Sequence, residues 1–382
     1  MTTRILIDNS IDGGASCFLF EEPCGEVLAC RPDEVDDAIA ALTAAAEQGL
    51  WAAGFFSYEL GYLLEPRLQP LLPKKQSVPL LRFALFKERK TVSGAQAEAV
   101  LEAWRSGDYT LSDPVLTMDR ATYRERFGRT KDYISAGDIY QLNLTLKGTF
   151  QTEGCPVALY ADLRRTQPVA YGAYMEFDDL TVLSLSPELF LTTENGTALT
   201  RPMKGTAARA MTPDHDEAAR RWLETDEKSR AENLMIVDLM RNDLGRVAKT
   251  GSVLVTDLFT VETYRTLHQM TSGISARLKT DTDLAAILHS LFPPGSITGA
   301  PKVRAMEIIA ELESGARGIY TGALGMLGPG GQIHLNVAIR TLTLQDDGQG
   351  EIGIGSGLVD DSVADAEYEE CLLKMRFLTE KP

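Results

Sequence analysis

Positive charge is what this chain lacks most. Its 38 Lys and Arg face 54 Asp and Glu, a formal net charge of −16 at pH 7, which argues against nucleic acid or an anionic membrane surface as a partner. An anionic substrate would need cations gathered locally. Cysteine is scarce: Cys17, Cys24, Cys30, Cys155 and Cys371 are five in number and scattered, so neither a zinc-ligand pair nor a disulfide framework can be read from them. A reducing cytoplasm is the expected setting. Long apolar runs are missing too. No uninterrupted stretch approaches the ~18 residues of a membrane-crossing helix, and the apolar run Ile5-Leu6-Ile7 near the start is too short for a signal peptide. Internal repeats and low-complexity blocks are likewise absent.

What is present suffices for a large core. With 382 residues, 44% of them hydrophobic, more than one layer of secondary structure is expected. A helical pattern covers Asp33–Gln48 and Arg120–Ala136, and a polar, proline-containing loop falls at 65–78. Gly107–Pro114 is the best internal boundary. Ile139–Phe150 alternates as a strand, with Gln141 and Asn143 on one face and Leu142 and Leu144 on the other; Tyr171–Phe177 and Leu180–Leu185 follow as strands. No glycine or proline interrupts Asp214–Leu244, which predicts a long helix broken near its start.

Candidate chemistry gathers around Lys204, in the run Arg201-Pro202-Met203-Lys204-Gly205-Thr206. Most lysines are solvated surface groups, but here Gly205 permits close approach, Pro202 stiffens the entry and Thr206 offers a hydroxyl to a bound oxyanion. Burial would depress such an amine toward its nucleophilic form. Glu232 shares a helix face with Met235 and Leu239, so its carboxylate needs a partner, either a cationic side chain or a metal. In Asp360–Arg376 a helix would align Glu367, Glu370 and Lys374 directly after the segment Gly353-Ile354-Gly355-Ser356-Gly357. Such a stripe is usually a solvated face, and glycines before a helix also expose amides to an anion. With Glu232, these carboxylates suit a hard cation, most naturally Mg²⁺.

Several of these runs occur together and in one order. They are Ser186-Pro187-Glu188, the Lys204 run, Arg230 to Leu239 with Arg241-Asn242-Asp243-Leu244, Gly295 to Lys302, Ile339-Arg340-Thr341, and the glycine segment with Glu367 and Glu370. As a set over residues 118–380 they resemble the chorismate-utilising enzymes. Ile7-Asp8-Asn9-Ser10 and Gly54–Gly61 resemble the less regular first third of that family's large subunits. The lysine at 204, where anthranilate-forming members carry alanine, points to the branch that makes 4-amino-4-deoxychorismate, on the way to 4-aminobenzoate and folate. Members that add water use a lysine base at the position of Gln141, and an amide cannot act as that base.

The resemblance implies an α+β fold of large, mainly antiparallel β-sheets flanked by helices, with the site in the central cleft. Residues 1–110 would pack into the main body, with a possible amino-acid pocket, and residues 118–380 would form the catalytic region. It also implies roles. Lys204 adds to C2 of chorismate, Glu188 protonates the leaving C4 hydroxyl, and His268 sits beside the ring, although a histidine taken alone is more often a core group. Arg340 clamps the side-chain carboxylate with help from Tyr320. Mg²⁺ on Glu232 and Glu370, with Glu367, holds the ring carboxylate, while the amides of Gly355, Ser356 and Gly357 contact that end with Thr298 and Lys374, and Gly205 and Thr206 line the substrate. Two departures from the pattern are Ser229, where some relatives are acidic, and Met203, where isoleucine is usual. No Gly-x-Cys-x-Gly turn surrounds any cysteine, so ammonia is expected from a separate glutamine amidotransferase subunit. Anthranilate synthesis and a non-catalytic chorismate-binding role are the alternatives.

Overall fold

Alternation along single strands builds the architecture. In the strand Arg4–Asp8, Ile5 and Ile7 join one core cluster while Leu6 joins another, as the period of two requires. The computed structural model describes residues 3–11, 16–264 and 267–379. Within them lie an eleven-stranded and a ten-stranded sheet, antiparallel at every pairing that joins their strands, with helices packed outside. This is the α+β class expected from the sequence.

The first sheet runs from Gly299–Ala300 through Gln141–Gly154, Gln349–Leu358, Thr341–Gln345, Leu180–Ser186 and Tyr171–Glu176 to Arg4–Asp8, Cys17–Phe20 and Lys90–Val92. The second runs from Met203–Ala208 through Leu267–Arg277, Thr197–Arg201, Leu189–Glu194, Gln332–Val337 and Ala323–Gly328 to Trp51–Phe56, Leu81–Phe86 and Gly25–Ala29. Strands from the first hundred residues therefore finish one end of both sheets. Gly107–Pro114 carries the short strand Tyr109–Leu111, paired with Thr152–Gly154.

Between the sheets the filling changes character along the strands. Leu180 and Val182 belong to the apolar inter-sheet cluster with Phe55, Phe86 and Met326, whereas Ser184 and Ser186, next on the same face, are buried and polar. Gln141, Asn143 and Thr145 continue that polar layer, opposite in alternation to the core residues Leu142, Leu144 and Leu146. A buried polar layer is costly unless its groups are hydrogen-bonded: Ser184 and Ser186 are, to Thr341 and to the Val337 carbonyl, whereas the Gln141 amide has no partner among the described residues.

The long helical stretch divides in two, Pro213–Thr225 and Glu227–Val247. Asp226 makes the break with extended backbone (ψ 115°), and its carboxylate accepts from the Ser229 amide at 2.8 Å, a side-chain cap that starts the second helix. That helix buries Ile236, Val237, Met240 and Leu244, and passes through Gly245 to Val247. The C-terminal helix covers Ala364–Thr379 and packs on the strand Gln349–Leu358. Among the described residues no helix is long and apolar enough to cross a membrane.

Candidate active site

Lys204 sits on an irregularity in the second sheet. Met203 pairs with Thr271 but Thr206 pairs with Gln269, so one extra residue is accommodated between them. Gly205 absorbs it at φ +84°, a left-handed conformation natural to glycine. Such a bulge re-aims the neighbouring side chain. A side chain at 205 would also collide with Ser229, since a Cβ there would lie 2.8 Å from the Ser229 Cβ. The small Ser229 thus lets strand and helix meet, and Gln269 ties the turn down by donating to the Gly205 carbonyl at 2.8 Å and accepting from the Thr206 hydroxyl at 3.1 Å.

The bulge turns the Lys204 amine toward the first sheet. A Cβ on Gly357 would stand 3.0 Å from Nζ and 2.9 Å from the Gln141 amide nitrogen, so the glycine leaves the space that these side chains occupy. Gly353, on the same face, makes room for the Tyr320 ring in the same way. Lys204 forms no hydrogen bond or ion pair among the described residues. Burial depresses its pKa; Glu232, Glu188 and Glu370 oppose that shift and Lys374 adds to it. Such an amine is easier to hold neutral.

Glu188 and Arg340 share a topological position that sequence pattern cannot show. Both lie where the chain crosses between sheets, Glu188 between Leu180–Ser186 and Leu189–Glu194, Arg340 between Gln332–Val337 and Thr341–Gln345. The crossings are laced together: the Ser186 hydroxyl donates to the Val337 carbonyl at 2.6 Å, and the Val337 amide to the Glu188 carbonyl at 3.0 Å. Glu188 is buried, and desolvation pushes its carboxyl up to about 7 against a hydrogen bond from Ser296 and the attraction of Lys204. The Ser296 hydroxyl donates to Oε1 at 2.6 Å.

Arg340, half-buried at φ +49°, lines a pocket with Val169, Pro187, Tyr264, Leu267 and Gln269. Its side chain has no anionic partner among the described residues, and burial lowers its pKa with only Tyr264 opposing. A guanidinium left so is an anion site. Gln269 lines this pocket while holding the lysine turn, which links the two cations.

Carboxylates gather on the third side. Burial raises the Glu232 carboxyl, Lys204 and Lys228 oppose this, and Glu367 and Glu370 add to it; its nearest cation, the Lys228 ammonium, is 3.9 Å away. Glu370 pairs with Lys374 at 2.7 Å, and Glu367 accepts from Ser362 at 2.7 Å. Burial works to raise the Glu370 carboxyl, and the Lys374 ammonium overrides it to give a net lowering. Among the described residues no three such groups close into a ready ligand set. Three carboxylates that repel one another, one of them half-buried and poorly compensated, are nonetheless a donor set suited to a hard cation.

Other expected residues stand differently. His268 is buried with both ring nitrogens engaged, Nε2 with Asp216 at 3.1 Å and Nδ1 with Thr263 at 3.0 Å; contact with a substrate would need one of these bonds to open. Tyr320 is neighboured by Arg317 and Asn143, and the tyrosine acting on Arg340 is Tyr264. The Ser356 side chain turns to the outer face, where its hydroxyl meets that of Tyr123 at 3.1 Å, because alternation puts it opposite Gly355 and Gly357. Thr298 is buried and donates to the Pro294 carbonyl at 2.8 Å, and Lys374 donates to the Gly355 carbonyl at 2.8 Å. Sequence reasoning missed Ser296, Gln269 and Tyr264 as members of the site. It considered Gln141 only as a base that is absent, yet Gln141 is fully buried with both amide atoms unpartnered. A polar residue on the inward face of a strand was the available signal for it.

Comparison with known proteins gives one answer at three levels. The family described as chorismate binding enzyme matches residues 26–380. Component 1 of aminodeoxychorismate synthase from Escherichia coli (strain K12) is 39% identical over 340 residues, covering 85% of this chain and 75% of that one. An anthranilate synthase component 1 from Haloarcula marismortui is 42% identical over 258 residues, covering 68% of this chain and 51% of that one. Two further aminodeoxychorismate synthases are longer relative to this chain, which spans 61% of the length of one from Klebsiella aerogenes and 36% of one from Streptomyces griseus. The crystal structure of anthranilate synthase component I from Streptococcus pneumoniae TIGR4 superposes with a TM-score of 0.82 at 26% identity, covering 98% of this chain and 94% of that one. The matched region contains every one of these site residues, and the chain belongs to the chorismate binding enzyme family.

Proposed function

We propose that the chain aminates chorismate to 4-amino-4-deoxychorismate, the activity that the name of its component 1 relatives states. The observation that carries this reading is the pairing of Lys204, an amine depressed by burial and without a bonded partner among the described residues, with Glu188, a buried carboxyl held near neutrality. One is poised as nucleophile, the other as acid.

In this reading Arg340 takes one carboxylate of chorismate. Mg²⁺, held by Glu232 and Glu370 with Glu367, would take the ring carboxylate and withdraw charge from the ring. The Lys204 amine forms a bond to C2, the ring diene shifts, and the C4–O bond breaks as Glu188 gives its proton, releasing water. Ammonia then bonds to C4, the diene shifts back, and the Lys204 amine leaves C2; the Glu188 carboxylate recovers a proton from the new ammonium. Water activation is disfavoured because the group beside Lys204 is the Gln141 amide. In this reading ammonia is delivered by a glutamine amidotransferase, whose Gly-x-Cys-x-Gly turn none of the five cysteines of this sequence provides.

Anthranilate synthesis is the second reading, favoured by the identity to the Haloarcula protein. One assay separates them. With chorismate, Mg²⁺ and ammonia, the proposed activity gives an aminated chorismate that retains its enolpyruvyl group; release of pyruvate with a fluorescent product would establish anthranilate synthesis instead.

A further inference from the structure

Ser296 belongs to a short turn, Gly295–Ile297, that is fixed from several sides. A Cβ on Gly295 would lie 2.5 Å from Leu239 Cδ2, so the turn packs directly on the helix Glu227–Val247. Thr298 closes it by donating to Pro294, and Arg317, itself buried, donates to the Ile297 carbonyl at 3.3 Å. The Asn143 amide donates to the Thr298 carbonyl at 2.9 Å, which fastens the turn to the first sheet. Ser296 emerges from this anchorage buried, and among the described residues its hydroxyl has one partner, Glu188 Oε1 at 2.6 Å. So many constraints on one small hydroxyl hold a single contact in place.

We propose that Ser296 is a positioning residue for the acid step: by donating to Oε1 it fixes the Glu188 carboxyl in the cleft and assigns the transferable proton to the opposite oxygen. The inference rests on the reading of Glu188 as the acid. When that proton passes to the departing C4 oxygen and water leaves, Ser296 remains as donor to the carboxylate just formed, so one hydrogen bond serves both states. The charged group acting on Glu188 from the packed elements is Lys204, on the strand Met203–Ala208, with a backbone hydrogen bond from Met203 beside it. Glu232, Glu370 and Lys374 act on Lys204.

The test is the pH dependence of single-turnover amination by Ser296→Ala and Glu188→Gln, with free ammonia held constant across the series. A hydroxyl donor favours the carboxylate, so its loss lets the acid keep its proton to higher pH. Ser296→Ala is therefore expected to move the alkaline limb upward and to lower kcat about tenfold, with KM for chorismate within about twofold. Glu188→Gln should lose both the rate and the limb. An alkaline limb that stays in place in Ser296→Ala, with Glu188→Gln inactive, overturns the role of Ser296 alone. Retained turnover in Glu188→Gln overturns the reading of the acid itself.

Discussion

Two of the regions that bury charge in this molecule treat it in opposite ways. Around Arg317 the charged groups are completed, although the Tyr58 hydroxyl beneath the guanidinium is left without a partner among the described residues. Its guanidinium donates to both oxygens of Glu313, at 2.9 and 2.7 Å, and to the carbonyls of Asn143 and Ile297. Buried Glu59 beside it accepts from the amides of Arg317 and Gly318 at 2.7 and 2.9 Å. Around Lys204 the groups are left short: among the described residues Lys204 and Arg340 have no ion pair and the Gln141 side chain has no partner, while the nearest cation to Glu232 is Lys228 at 3.9 Å. Burial in the first region is structural and closed; in the second it is held open for what binds. Unpaired buried charge is costly, so a region that carries it is where a ligand belongs.

The comparison can be broken most sharply at Lys204. Lys204→Ala should reduce amination by a factor on the order of a thousand, while chorismate affinity measured by calorimetry stays within a few-fold, because the lost bond belongs to the reaction path. Wild-type-like turnover would end the covalent route.

The closed region makes the contrary prediction. Arg317→Met strands Glu313 in the interior, which should cost about 3–5 kcal/mol in denaturant unfolding. Arg340→Met should leave stability nearly unchanged and weaken chorismate binding severely. Equal stability losses at the two arginines would erase the distinction.

Smaller effects sharpen it. Glu232→Gln and Glu370→Gln should each raise the Mg²⁺ concentration needed for half-maximal activity, by about tenfold, and weaken chorismate binding. Unchanged titrations would return both residues to ordinary structural roles. The smallest effect concerns pH. Glu59 and Glu188 are both raised to about 7 by burial, above their unfolded values, so the folded chain holds more protons between about pH 5 and 7. Stability should fall as pH rises through that window and level off above it, and Glu188→Gln should flatten part of the slope in thermal melts.

How much of this was legible in the sequence follows from the range of the forces involved. Local periodicity gave the strand at Gln141, the helix from Arg120 and the placing of Gln141 and Asn143 on one face, though not which face turns inward, since each depends on neighbours a few residues apart. The glycine beside Lys204 was legible as permission for close approach, but not the bulge, which exists only against Leu267–Arg277. The break at Asp226 was expected near the start of the long helix, and its place follows from one capping carboxylate. Ser356 was expected to contribute its backbone amide, and the pleat that turns its hydroxyl outward to Tyr123 bears only on the side chain. Tyr264 reaches the Arg340 pocket from the end of the strand Leu254–Thr263, a neighbourhood that no local pattern links to Arg340. Ser296 stood inside a quoted run without distinction, since its partner lies 108 positions away.

Placing Glu188 and Arg340 on the two strand-to-strand crossings has a mechanical consequence. The distance between acid and clamp is set by how the sheets lie on one another, so the cleft works as a gauge of their alignment. Substitutions deep in the inter-sheet layer, far from any reacting atom, should then disturb turnover through small slides of one sheet over the other before they register in a melting curve.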